Sequence, residues 1–365
     1  MIRKINRIIQ DFLRPKRLML GRYFWDRKDK KNEELIGENR VKMKNVKSIL
    51  FLRYDGKIGD MVINTLMFRE IKKRYKDIKI GVVARGAASD IIKFNPYVDR
   101  IYNYEKGDEA RLAKKIESEG YDILIDFSEM LRVNQMKFIN LCKAKINIGL
   151  DKKGWKLFDL SYEKDYTKHI TDMYARVLKL LGIDSPDLSY DVFTDAESVD
   201  RIDRKLREIG NPKDIILVNP YAASKHRSFN REKILAIGKK VLKNPENTLV
   251  FIGEESKSEE IYKIAEELGE RAKYPMLHGI LDVAELVGRA RYVITPDTSI
   301  VHIGVAKGVH MTAVYRLDTG DNNSVVWGPN SKLVKQVFSK DIPKLGEEAD
   351  INMFDVEEIA GEGLL

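Results

Sequence analysis

Ser48–Arg69 reads SILFLRYDGKIGDMVINTLMFR, and the order of its parts decides the fold. Ile49–Leu52 is an apolar run too short for anything but a buried strand. Tyr54 to Gly59 is a turn rich in glycine and charge. Asp60 then opens a segment with apolar residues at Val62, Ile63, Leu66, Met67 and Ile71, which is helical spacing. Strand, glycine turn, acid and helix is the order in which an open α/β sheet presents chemistry, outside the carboxyl end of a strand. Asp60 has two readings here. It is a helix N-cap, worth roughly 1 kcal/mol, or a catalytic carboxylate. A carboxylate occupied by backbone N–H groups is a poorer base, so the readings compete.

Outward from this unit, strands alternate with helices. Strands are expected at Ile78–Val83, Val98–Tyr104, Tyr121–Phe127 and Ile146–Leu150, with helices at Ala87–Phe94, Glu109–Glu119 and Met130–Lys143. The polar stretch Asp184–Ser198 (DSPDLSYDVFTDAES) marks a boundary, after which a similar series begins. Its strands are Ile215–Asn219, Thr248–Ile252, Tyr292–Thr295 and Thr312–Tyr315, and its helices Arg231–Leu242, Lys257–Leu268, Ala284–Ala290 and Ser299–Lys307. This order predicts an α/β chain of two Rossmann-like, parallel-sheet domains facing a cleft. The expected division is 1–47 as an extension, 48–190 and 191–340 as the two domains, and 341–365 as a tail. Val356–Leu365 is expected to form a helix that packs toward the first domain.

Charge separates the extension from the body. The net charge is +9 over 365 residues, and residues 1–47 hold 15 Lys/Arg against 6 Asp/Glu, leaving 50 of each sign elsewhere. A neutral body argues against nucleic acid as a partner. Ile2, Ile5, Ile8, Ile9, Phe12 and Leu13 fall on one helical stripe, and Pro15 is expected to end that helix. Leu18, Met19, Leu20, Tyr23, Phe24 and Trp25 follow, mixed with Lys16, Arg17 and Arg22. Residues 1–25 therefore suit an anionic membrane surface or a helix docked on the body, and 26–47 read as a solvated connector. No secretory h-region and no bilayer-spanning run is present. Cys142 is the single cysteine and reads as a small core residue.

Three strand ends in the second half carry candidate chemistry. Asn219–Phe229 (NPYAASKHRSF) places Lys225, His226 and Arg227 where an anion could be bound, or where a solvated loop would run. Glu255 closes the strand Thr248–Ile252 and could accept from ribose hydroxyls, or face a helix dipole. Asp297, Thr298 and Ser299 are N-cap types opening a helix, a ready diphosphate site, and His302 follows one turn later, in the cleft or in the core. The chain lacks G-x-G-x-x-G after Ile49–Leu52, a P-loop, a G-x-S-x-G elbow and zinc-ligand spacing. No Asp-x-Asp occurs in the plausible loops, which favours chemistry without a metal or other cofactor.

Taken together, Gly59-Asp60, the Lys225/Arg227 loop, Glu255 and Asp297-Thr298-x-x-x-His302 resemble glycosyltransferase family 9, the ADP-heptose:lipopolysaccharide heptosyltransferases. The resemblance spans roughly residues 48–329. It implies the GT-B fold and inverting transfer without metal, with Asp60 as general base. It also implies donor diphosphate contacts from Arg227 (or Lys225) and from Asp297–Ser299, and a ribose contact from Glu255. A nucleotide-sugar donor and a lipid-linked saccharide acceptor follow, and a place at the cytoplasmic face of the inner membrane. Three departures stand out: Ser299 and Arg316 where the family has glycine, and a Gly-Asp turn one residue longer. A sugar-nucleotide epimerase and a non-catalytic scaffold are the rival readings.

Overall fold

The computed structural model describes residues 2–28, 32–318, 320, 322–343, 348–361 and 364, with backbone alone for 2–12 and Glu33. The chain starts with α1 (Ile2–Trp25) and a small hairpin, β1 (Ile36–Gly37) with β2 (Arg40–Val41). The first domain follows as β3 (Ser48–Arg53), α2 (Ile58–Arg74), β4 (Lys79–Ala84), α3 (Ala87–Asp90), β5 (Arg100–Asn103), α4 (Glu109–Glu119), β6 (Ile123–Asp126), α5 (Val133–Cys142), β7 (Ile146–Leu150), β8 (Leu160–Tyr162) and α6 (Ile170–Leu180). α7 (Ala196–Glu208) leads into the second: β9 (Asp214–Val218), α8 (Arg231–Val241), β10 (Asn247–Phe251), α9 (Ser258–Leu268), β11 (Ala272–Lys273), α10 (Ile280–Arg289), β12 (Tyr292–Pro296), α11 (Ser299–Lys307), β13 (His310–Tyr315), α12 (Asn323–Val326) and β14 (Val334–Phe338).

Each domain holds a six-stranded sheet, ordered β5-β4-β3-β6-β7-β8 and β11-β10-β9-β12-β13-β14, with every pairing parallel. The two windings are the same. Strand order reverses between β3 and β6 in one sheet and between β9 and β12 in the other, and such a switch point opens a crevice at the carboxyl edge. β3 is buried along its whole length, as a central strand covered on both faces must be.

α2 is the helix on which the two domains meet. Met61 through Ile71 are all buried, because the helix packs on its own sheet and also against α11 of the second domain. Its polar residues Arg69 and Thr65 are held by the boundary stretch. Arg69 donates to Asp191, to the carbonyl of Asp187 and to that of Ser189, so the polar boundary stretch is held down. Thr65 accepts from the Asp191 amide at 2.9 Å.

Several expectations are corrected. α1 runs through Pro15 instead of ending there. Pro15 removes one backbone bond, at a cost of about 3 kcal/mol, and packing further along offsets it. Gly21 lies against Val133 and Met136, Leu18 and Trp25 pack on the first core, and the Leu157 amide donates to Asp26 at 3.0 Å. The stripe Ile2, Ile5, Ile8, Ile9 and Phe12 lies outside the described side chains. Residues 26–47 are more than a connector, since Leu35, Val41 and Val46 are buried in the first core. The tail is not a helix packed on the first domain. Its described part holds one 3-10 turn, Val356–Glu358, and Ile359 and Leu364 are buried in the second core. A Cβ on Gly361 would stand 2.5 Å from the Tyr292 hydroxyl, a close approach that suits glycine and an irregular chain.

Candidate active site

β3 delivers Arg53 to its carboxyl end, and α2 begins at Ile58, so Asp60 is the third helical residue. The N-cap position belongs to Lys57, which makes no side-chain cap bond, and this disposes of the capping reading of Asp60. The carboxylate instead stands 2.8 Å from Arg53 Nη2 and 3.9 Å from Lys57 Nζ. Burial pushes its pKa up, while Arg53 and Lys57 pull it down, and the net is upward. An ionised acid whose basicity is raised is what a general base at neutral pH needs.

Behind Arg53 lies a second buried acid. Asp126 ends β6 beside β3, fully buried, and accepts from Ser128 Oγ at 3.0 Å. Its Oδ2, like Arg53 Nε, has no hydrogen-bond partner. Burial raises its pKa to about 6, against pulls from Lys152 and Arg53. A folded pKa above the unfolded value means that the native state holds more protons between about pH 4 and 6. This group therefore lowers stability as pH rises through that window, by on the order of 3 kcal/mol. Asp126→Asn is expected to gain stability relative to wild type between pH 4 and 6 and then level off in urea titrations. A pH-independent difference would remove Asp126 as the source.

On the second domain, β12 ends at Pro296 and Thr298 is the N-cap of α11, accepting from the Ile300 amide at 3.3 Å. Asn219, at the end of β9, donates to Thr295 Oγ1 at 3.0 Å and Thr298 Oγ1 at 3.2 Å, fixing the cap. Arg227 Nη2 donates to Asp297 Oδ2 at 2.7 Å and to the Asp297 carbonyl at 3.0 Å, and Asn323 donates to the same carboxylate oxygen. Asp297 is thus an anchor for Arg227, and the cation and helix N-terminus are the groups that can meet an anion. Ser299 is the first residue of α11. Lys225 is exposed in the 3-10 turn Lys225–Arg227, and Glu255 is exposed in another after β10. Both stand at the carboxyl edge, without described contacts that tie them to the Arg227 cluster.

His302 faces α2. A Cβ on Gly59 would lie 2.7 Å from His302 Cδ2 and 3.5 Å from Ser299 Cα, so glycine is what lets α11 approach α2. The imidazole is buried and its pKa falls to about 3, through burial and then His169, which keeps it neutral. His169, at the N-cap of α6, bonds the Gly328 carbonyl of the second domain at 3.0 Å through Nε2. His302 is thus a packing group of the domain seam. Gly59→Val would wedge a side chain against this buried ring, and overpacking of this kind costs about 1–3 kcal/mol. Its urea midpoint should fall; an unchanged midpoint would mean that the seam is looser than the contacts indicate.

Three groups escaped sequence reasoning, Asp126, Asn219 and Trp327, and the charge of Arg316 on Asp297 was not foreseen. Asp126 had a signal, as the acid closing the run YDILIDF. Arg316 acts on Asp297 through charge, and Trp327 lies under Lys57 and Lys164 at 5.8 and 5.6 Å, next to Asp60's helix. Among the described residues, no group of three or more His, Cys, Asp or Glu could hold a metal ion, and no helix is long and apolar enough to cross a membrane.

A sequence model of glycosyltransferase family 9 (heptosyltransferase) matches residues 109–352, more than half of the chain. The match begins after Asp60 and takes in Arg227, Glu255, Asp297 and His302. The chain is 23% identical over 304 residues to "Putative lipopolysaccharide heptosyltransferase 4" of Escherichia coli K12, covering 80% of this chain and 82% of that protein. A family 9 glycosyl transferase structure from Veillonella parvula superimposes with a TM-score of 0.74 at 18% identity, covering 86% and 94% of the two chains. The E. coli ADP-heptose lipopolysaccharide heptosyltransferase II structure gives 0.65 at 15% identity, covering 85% and 97%. These likenesses carry the two-sheet GT-B architecture.

Proposed function

Since the chain belongs to glycosyltransferase family 9, the heptosyltransferases, we propose that it is an inverting, metal-independent enzyme. It moves a heptose from ADP-heptose to a lipid-linked saccharide, the lipopolysaccharide core or a related surface glycan. Membership in a glycosyltransferase family sets aside the epimerase and the non-catalytic scaffold. The observation that carries the finer reading is one of position. Asp60 and the Arg227–α11 cluster stand at the switch points of two facing sheets, brought together where Gly59 meets Ser299.

In this reading the acceptor hydroxyl gives its proton to Asp60 as its oxygen attacks the anomeric carbon. The bond from that carbon to the diphosphate breaks on the opposite face, so configuration inverts. The charge that develops on the diphosphate would meet Arg227, with Lys225 in the same loop and Arg316 after β13, and the N–H groups at the start of α11. Glu255 would take the ribose hydroxyls. The enzyme would work at the cytoplasmic face of the inner membrane, held to its anionic surface through residues 1–25.

A thermal-shift panel of ADP, UDP, GDP and CMP and their sugars, with and without EDTA, tests this directly. A true ligand at a hundredfold excess over Kd adds about 2.7 kcal/mol to stability. ADP and ADP-heptose should raise Tm with EDTA present. A preference for another base, or loss of the shift in EDTA, would overturn the ADP or the metal-free part respectively.

A further inference from the structure

α1 has two faces with different fates. The inner face docks on α5: Gly21 lies against Val133, Asn140 donates to the carbonyls of Trp25 and Arg27, and Lys137 stacks over Trp25. The outer face is left in solvent, with Met19 at 68%, Leu20 at 55%, Tyr23 at 78% and Phe24 at 50% exposure. These four share one stripe, at i, i+1, i+4 and i+5. Lys16 and Arg17, both exposed, sit on that stripe one turn earlier.

The contacts also fix a direction. Gly21 meets the start of α5, and Trp25 and Arg27 meet its later part, so the two helices run parallel. α5 follows β6 and therefore starts at the carboxyl edge of the first sheet, the edge that carries Asp60. The part of α1 before Gly21 runs on past that start, by about 28 Å at 1.5 Å per residue. Met130, exposed, lies in the loop at the same edge.

We propose that α1 seats the α5 flank of the first domain on an anionic lipid bilayer, with the carboxyl edge and its opening at Asp60 beside the surface. Charge argues for lipid over a second protein. All of the net positive charge of the chain lies in residues 1–47, over a body of balanced charge. A basic helix with apolar and aromatic residues on one stripe lies in the plane of the headgroups. A flexible tether would leave the cleft free to point anywhere, whereas a helix packed on α5 holds it beside the surface in one orientation. The proposal goes beyond the transferase reading, whose lipid-linked acceptor supplies its purpose but not its geometry.

Cys142, the single cysteine, is buried, so an introduced cysteine can be labelled selectively. An environment-sensitive fluorophore is placed on full-length Met130→Cys, or on Asp77→Cys at the opposite edge of the sheet. Each is mixed with vesicles of phosphatidylethanolamine and phosphatidylglycerol, or of phosphatidylcholine alone. The expected result is co-sedimentation with the anionic vesicles and a blue shift at position 130 but not at 77. Leu20→Ser with Phe24→Ser, both exposed positions, should weaken the partition at least tenfold with Tm unchanged, and Lys16→Glu with Arg17→Glu should do so for anionic vesicles. Protein that stays in the supernatant overturns the proposal. So does a response at 77 in place of 130, partition of the double variants equal to wild type, or a lipid-independent dimer lost in those variants. Failure of the donor reading would show separately, as no thermal shift with ADP-heptose.

Discussion

Asp60→Asn is expected to lower kcat by 10²- to 10⁴-fold, the range that removal of a general base spans, while the Kd for ADP-heptose stays within a few-fold. In the proposed reading the two substrates meet different groups, so the two effects separate. Asp60 lies at the start of α2, ion-paired to Arg53 at 2.8 Å, whereas Arg227 and the α11 N-terminus, the groups proposed to meet the diphosphate, belong to the second domain. The asparagine fills the same volume and cannot take a proton. A second readout comes from pH. Burial holds the Asp60 pKa above the ordinary carboxylate value despite Arg53 and Lys57. The acid limb of kcat/KM in the wild type should therefore fall above the pKa of about 3.9 for an unperturbed Asp, and the Asn variant should lose that limb. Transfer to heptose-deficient lipopolysaccharide, followed as ADP release, measures both. A variant with wild-type turnover would remove Asp60 from the chemistry and leave it as half of a buried ion pair.

The fold was legible because both central units announce themselves by pattern. Ile49–Leu52 followed by a glycine turn, and Tyr292–Thr295 followed by Pro-Asp-Thr-Ser, each read as strand, turn and helix, and these became β3–α2 and β12–α11. Less visible were elements with little apolar periodicity of their own. β14 (VKQVF) is an edge strand at the end of the second sheet, and β11 is two residues long. α7 carries buried residues only at Ser198, Ile202 and Leu206 among many charges, and its place is set by Arg201 bonding Asp282 on α10 at 2.7 Å. Helix α1 passed its proline because α5 was there to hold it, a long-range fact that no local rule contains.

The candidate site divides in the same way. Residue types were readable, but pairings were not. Asp297, Thr298 and Ser299 are all good N-cap residues in sequence, and only the fold shows that Thr298 caps while Asp297 turns to a cation seventy residues earlier. His302 sat at a spacing that suits either cleft or core, and the fold packs its ring against Gly59 at the seam. Arg53 and Asp126 end neighbouring strands, yet their sharing of one buried pocket depends on the sheet order β3-β6.

The pairing of Arg227 with Asp297 leads to the second large effect. Arg227→Met is expected to reduce kcat by 10²- to 10³-fold, about 2.7–4 kcal/mol, the loss seen when one donor to a developing anion is removed. The guanidinium is anchored through Nη2 alone among its described hydrogen bonds, and the side chain keeps 34% of its surface exposed, so its other N–H groups can meet the leaving diphosphate. Anchoring matters as much as charge, because a preorganised cation needs no reorientation as the bond breaks. Arg227→Met also leaves the mostly buried Asp297 carboxylate with Asn323 but without its cation, which costs stability and lowers turnover indirectly. Two comparisons separate the effects. Arg227→Met with Asp297→Asn relieves the unpaired charge, so it should recover Tm but not kcat. Asp297→Asn alone keeps the cation but loosens it, so its kcat should fall less than that of Arg227→Met. Recovery of kcat together with Tm in the double variant would show that Arg227 serves the fold, and the diphosphate would then have to be met by α11 and the remaining loop cations.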